Sequence, residues 1–118
     1  MKVVLRADDA RNPRQHPQRQ ISQIADSIRE FGFVMPVVVN ENEVVIGHGR
    51  VLAAKQLGMA RVPVIALRHL SPPQLKALRI ADNKLAHNSH WDERLLGESF
   101  LELNELELDF DLSITGFD

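Results

Sequence analysis

Apolar and polar positions divide this chain into strand-like and helix-like stretches. Val3–Leu5 is a short apolar run and reads as a strand. The polar segment ADDARNPRQHPQRQ, broken by Pro13 and Pro17, reads as a surface loop. Ile21, Ile24, Ala25, Ile28 and Phe31 then recur at helical spacing, with Gly32 where a helix commonly ends. That pattern predicts a helix from about Gln20 to Phe31. The β-branched runs Val37–Val39 and Val44–Ile46, separated by NENE, predict a hairpin with a four-residue loop. Both runs are too apolar for a sheet with one wet face, so helices are expected to cover it.

A helix is expected from Gly49 to Leu57, closed by Gly58, and then a strand over Val62–Leu67. Pro63 suggests an edge strand or a strand start, because it lacks an N–H for the ladder. Ser71, Pro72 and Gln74 supply an N-cap, a first-turn proline and a capping box for a helix running to about Ala86. Asp92 is the N-cap of the next helix, Trp91 can staple onto Leu96, and Leu96, Phe100 and Leu103 form its apolar stripe. Alternation of Phe110, Leu112 and Ile114 reads as a short strand or an extended arm. The order predicts an α+β domain of α/β-like alternation, with a small mixed sheet covered by helices and a C-terminal helical pair. Residues 1–70 are expected to form the core, and 71–118 a helical extension of the same domain.

Composition narrows the class. A chain of 118 residues with 44% apolar and 25% charged residues suits one globular domain. The absence of cysteine excludes disulfide and thiolate chemistry. The N-terminus has no long apolar stretch, which argues against a signal peptide or a membrane span and for a cytoplasmic protein. Charge is uneven. Residues 1–70 carry ten Lys and Arg against six Asp and Glu, whereas residues 71–118 carry four against ten. The front half therefore suits an anionic ligand. The imbalance is too small for a stand-alone DNA binder.

The chemistry-bearing stretch is VVIGHGRVLAAKQLG, Val44 to Gly58. Two apolar strands lead into Gly47, and a helix begins at His48 or Gly49. Backbone N–H groups at a helix start lack internal partners, and the dipole makes that end positive. Small residues admit an anion to the backbone, and Arg50 adds a planar fork suited to phosphate oxygens. The same string equally suits a tight turn with a solvated arginine. It is neither a P-loop nor a dinucleotide-binding fingerprint.

Asp82 lies on the stripe of Leu75, Leu78 and Leu85 in the Ser71 helix. A carboxylate there needs an ion pair, for instance with Arg79 or Lys84, a rotation of the helix into water, or a divalent cation. Asn83 beside it offers donor and acceptor. His87 and His90 form a weak metal-pair pattern in a linker, and His16 and His69 read as surface residues. Arg11, Arg14 and Arg19, in the proline-broken loop, suit either solvent or an anionic partner. Glu30 is a candidate base only in an enzymatic reading. The acidic segment Asp92–Asp118 reads as a solvated face that could compete with DNA for the basic half.

Three blocks in order carry a family resemblance: NPRQHPQRQISQIADSIREFGFVMPVVV, VVIGHGRVLAAKQLGMARVPVI and LRIADNKLA. They resemble the ParB/sulfiredoxin superfamily, and more narrowly the ParB N-terminal-like domains of phages and of DNA-methyltransferase neighbourhoods. The resemblance spans about Asn12 to Phe117. It implies a regulatory module that binds CTP or ATP with Mg and acts with DNA, through another domain or subunit, in partition, phage or modification systems. Gly47, His48, Gly49 and Arg50 then stand at the phosphate box. Asn12, Pro13 and Arg14 stand in the loop beside the nucleotide, Asn83 contacts nucleotide, and Asp82 holds the metal. A methyltransferase or partition ATPase is the implied partner, with a homodimer allowed and no membrane. Slow nucleotide hydrolysis is compatible with it, and no residue stands out as its catalyst. The box departs from the usual Glu-Arg-Arg by reading His48-Gly49-Arg50, one arginine fewer. Sulfiredoxin activity needs a cysteine that this chain lacks. Rival implications are a nuclease or nucleotide-dependent free-serine kinase of the same superfamily, in which Glu30 or His48 would be tried as base, and a ligand-free protein-interaction domain.

Overall fold

The computed structural model describes residues 2–4 and 17–117 of the chain. Four strands form one mixed sheet: β1 (Lys2–Val4), β2 (Val37–Asn40), β3 (Glu43–Ile46) and β4 (Arg61–Ala66), in spatial order β1-β4-β2-β3. The helices are α1 (Gln18–Phe31), α2 (His48–Gln56), α3 (Pro72–Asn88) and α4 (Glu93–Asn104), and a 3₁₀ turn spans Leu112–Thr115. β4 runs parallel to β2 and antiparallel to β1, and β2 runs antiparallel to β3. The α+β architecture with a C-terminal helical pair agrees with the sequence reading.

Alternation builds the core. Val37 and Val39 of β2 and Val62 and Val64 of β4 point to one face and bury against Val51 and Ala54 of α2. On the far side of α2, Ala53 packs with Ile21 and Ala25 of α1. Ala25 and Ala53 are fully buried, and their size lets the two helices approach closely. At the rim, Gln18 Nε2 donates to Gln56 Oε1 at 2.7 Å. The result is a sheet, then α2, then α1, with β3 delivering the chain to the start of α2.

Several expectations change. Asn40 pairs with Glu43, so the hairpin loop shrinks to Glu41 and Asn42, with Glu41 in the left-handed region at φ 53°. β4 is a central strand despite Pro63. Leu67 N donates to Val39 O, so by alternation the N of Pro63 also faces β2, at a level before β2 begins at Val37. The missing N–H therefore costs no ladder bond to β2. Helices cover only one face fully: Ile65, pointing opposite to Val64, remains 49% exposed. Arg19 lies in α1, which starts two residues earlier than predicted, with Pro17 as its N-cap residue. His87 belongs to α3 rather than to a linker.

The C-terminal part stands off the core: none of residues 71–117 is buried. The capping box forms as read, with Ser71 Oγ accepting from Gln74 N at 3.3 Å and Gln74 Oε1 accepting from Ser71 N at 2.8 Å. Asp92 caps α4 through Leu95 N at 3.0 Å, and Leu96, Phe100 and Leu103 are its half-buried positions. The tail is neither strand nor extended arm. The Asp111 carboxylate accepts from Ser113 N at 2.8 Å and closes a 3₁₀ turn that ends at left-handed Gly116. This turn packs on α1, where Phe110 meets Phe31 edge-on at 6.2 Å between centroids. Phe117 then meets Trp91 and Phe100 edge-on.

Candidate functional site

β3 ends at Ile46, and Gly47 turns the chain into α2 with φ 102°, a conformation that a side chain resists. Gly47 is also required by contact. A Cβ there would come within 2.9 Å of Arg50 Nη2, because the guanidinium lies over the glycine. Arg50 is held in that pose by donating from Nη2 to the Pro36 carbonyl at 3.0 Å. Its Nε is buried and meets no acceptor among the described residues. Burial lowers the Arg50 guanidinium from its ordinary value, and the charge of Asp82 works against that shift. The group stays cationic, as arginine does in proteins.

Val51 N donates to Gly47 O as the first bond of α2, so the N–H groups of His48, Gly49 and Arg50 are those that a helix start leaves without intrahelical acceptors. His48 and Gly49 are buried at this end. Together with α3 they border a cleft of about 210 Å³, walled by Gly47–Arg50, Arg79, Asp82 and Asn83 and floored by Ile24 and Val45. The turn and the Asp82–Asn83 pair, remote in sequence, thus face one space. Asp82 is exposed and its stripe neighbour Leu85 is 67% exposed, so the helix is rotated and the carboxylate bears no burial cost. Arg50 and Asp82 are close enough to interact electrostatically.

A second cleft of about 460 Å³ adjoins the first, sharing Ile24 and Arg50. Its walls come from α1 (Gln20, Gln23, Ser27), the 32–35 loop and the 3₁₀ turn at Ile114–Gly116. Asn12, Pro13 and Arg14, with Arg11 and His16, lie outside the described residues. Glu30 and His69 are exposed and border neither cleft, as do His87 and His90. Among the described residues, no group of three His, Asp or Glu could hold a metal ion. Asp82 and Asn83 do fit a magnesium ion that takes most of its ligands from water and phosphate, its usual coordination with nucleotides. Arg79 was not foreseen as a cleft residue. Its position three residues before Asp82 on one helix was the available signal.

Residues 3–84 match the family described as ParB N-terminal domain. The chain is 46% identical over 66 residues to the ParB-like nuclease domain-containing protein YnaK of Escherichia coli, covering 55% of this chain and 76% of YnaK. It is 34% identical over 93 residues to a probable chromosome 2-partitioning protein ParB of Deinococcus radiodurans, covering 75% of this chain and 31% of that protein. The C-terminally truncated chromosome-partitioning protein ParB of Caulobacter crescentus, solved with CTP-gamma-S, superposes with a TM-score of 0.70 at 22% identity. That superposition covers 91% of this chain and 65% of the other. The chain thus spans about a third of the Deinococcus protein. No helix among the described residues is long and apolar enough to cross a membrane. With more than half of its length matched by the family, from β1 through most of α3, this chain belongs to the ParB N-terminal domain family.

Proposed function

We propose that the chain is a nucleotide-binding regulatory module, taking CTP or ATP with magnesium and acting with DNA through another domain or subunit. One observation carries the reading: the start of α2, with Arg50, lines a single cleft together with the Asp82–Asn83 pair of α3. Phosphates sit on the N–H groups of His48, Gly49 and Arg50, where the helix dipole favours negative charge. Arg50 pairs with their oxygens, Asn83 donates its carboxamide, and Asp82 holds magnesium. The ion neutralises phosphate charge when bound. The adjoining cleft has room for the nucleoside. The Caulobacter ParB that shares this fold was solved with CTP-gamma-S, which supports a nucleotide as the ligand.

The C-terminal extension, residues 71–118, responds to the ligand. α3 carries half of the site yet buries no residue, so phosphate contacts would add attachment that its packing lacks. Leu85, Trp91, Leu95, Leu101 and Leu106 are more than half exposed, and a second copy is the partner we assign to them.

Calorimetric titration of CTP, ATP and GTP with magnesium tests the reading, on wild type and on Arg50→Ala. One nucleotide is expected to bind wild type, and Arg50→Ala to weaken it at least tenfold. Failure of all three to bind folded wild type removes the reading. Nucleotide turnover that depends on added serine, or cleavage of DNA, would replace it with an enzyme.

A further inference from the structure

We propose that Arg79 of α3 is the second phosphate-binding cation of the cleft, supplying from the opposite wall a charge that the turn holds only at Arg50. This rests on the reading of the cleft as a phosphate site. Among the described residues, the charged side chains bordering the cleft are Arg50, Arg79 and Asp82. Arg50 and Asp82 alone cancel, which is a poor match for a polyphosphate. Arg79 makes the lining net positive, and magnesium on Asp82 would raise it further.

The geometry places the guanidinium where it is needed. Arg79 Nη2 donates to the Val44 carbonyl at 2.8 Å, and Val44 lies on the strand that runs into Gly47. This bond fastens the arginine to the turn's own strand. Arg79 is half-buried, and its Nε is enclosed, so the side chain lies along the cleft wall rather than in open solvent. Asp82 and Asn83 follow it by three and four residues, so all three share one face of α3. A planar guanidinium has five donors, so the bond to Val44 does not exhaust the fork that would meet phosphate oxygens.

The alternative role is a strut that only holds α3 on β3. The two are separated by titrating the mono-, di- and triphosphates of cytidine and adenosine, with magnesium, into wild type, Arg79→Gln and Arg79→Lys. Thermal unfolding of each ligand-free protein reports on folding. Arg79→Gln is expected to weaken the triphosphate by about tenfold to a hundredfold, as for loss of a charge-assisted bond, and the monophosphate far less. Arg79→Lys is expected to recover part of the loss. Equal weakening of all three phosphate forms would make Arg79 a strut and overturn the proposal. Unchanged binding in Arg79→Gln, with Arg50→Ala still defective, would overturn it while leaving the phosphate site standing. Absence of binding to wild type would remove both.

Discussion

Gly47 and Arg50 form one device. The glycine takes φ 102° and lacks the Cβ that would meet the guanidinium, and the arginine folds back over it to reach Pro36. Gly47→Ala is therefore expected to cost about 1–2 kcal/mol from the left-handed backbone alone. It should also push Arg50 off Pro36, so nucleotide binding should fall further than stability. Urea unfolding with parallel calorimetry checks both. At Asp111 the hydrogen bonds from Ser113 hold the carboxyl below its ordinary value. A depressed folded value means that the turn's stabilisation is present above the ordinary carboxylate range. It is lost as pH falls through the lowered folded value. An NMR titration should show the Ser113 amide shifting with Asp111, while core amides stay fixed.

The helices divide into two kinds. α1 and α2 are held by burial, through Ile21, Ala25, Ala53 and Ala54. α3 buries nothing and depends on its capping box, on Arg79 and on contact with β3. Ser71→Ala removes one half of the box and is expected to cost α3 about 1 kcal/mol, roughly a fivefold rise in local opening. Hydrogen exchange should show that rise in the first turns of α3 and leave α2 and β2 unchanged. On the proposed reading, saturating nucleotide should slow exchange throughout α3, because a ligand touching both α2 and α3 would favour the docked helix.

Across the molecule, the proposed site joins a buried wall, the start of α2, to an exposed one, α3. Among the described residues the buried ones all precede residue 65, and the later half supplies one wall of the cleft together with most of the acidic charge. Val62→Ala, at a fully buried position of the central strand, is expected to cost about 2 kcal/mol globally. It should leave the cleft's selectivity among nucleotides unchanged, which chemical denaturation and titration together would establish. Changes in α4 such as Leu101→Glu should do the reverse. They should leave the unfolding midpoint nearly fixed and reduce nucleotide-dependent self-association, measured by analytical ultracentrifugation.

What could be read along the chain is what neighbouring residues settle among themselves. The stripe from Ile21 to Phe31, the Ser71 box, the Asp92 cap and the Gly47 turn are each decided within a few residues by sterics and local hydrogen bonds. The element order and α+β class followed from them. Long-range burial decided the rest. β4 is central because Val62 and Val64 join Val37 and Val39 of β2 against Val51 and Ala54 of α2, while the N of Pro63 meets a level that β2 does not reach. The alternating tail closed into a 3₁₀ turn because Asp111 bonds Ser113 and α1 offers Phe31 to Phe110. For Asp82, of the readings the stripe leaves open, the rotated helix is the one the structure takes, with the carboxylate exposed. The packing of α3 on β3 turns that face toward the cleft, where Arg79 reaches Val44 across 35 residues of chain. Side-chain type and spacing could mark the turn and the carboxylate separately. Their meeting depends on how two elements pack, a quantity that no local pattern encodes.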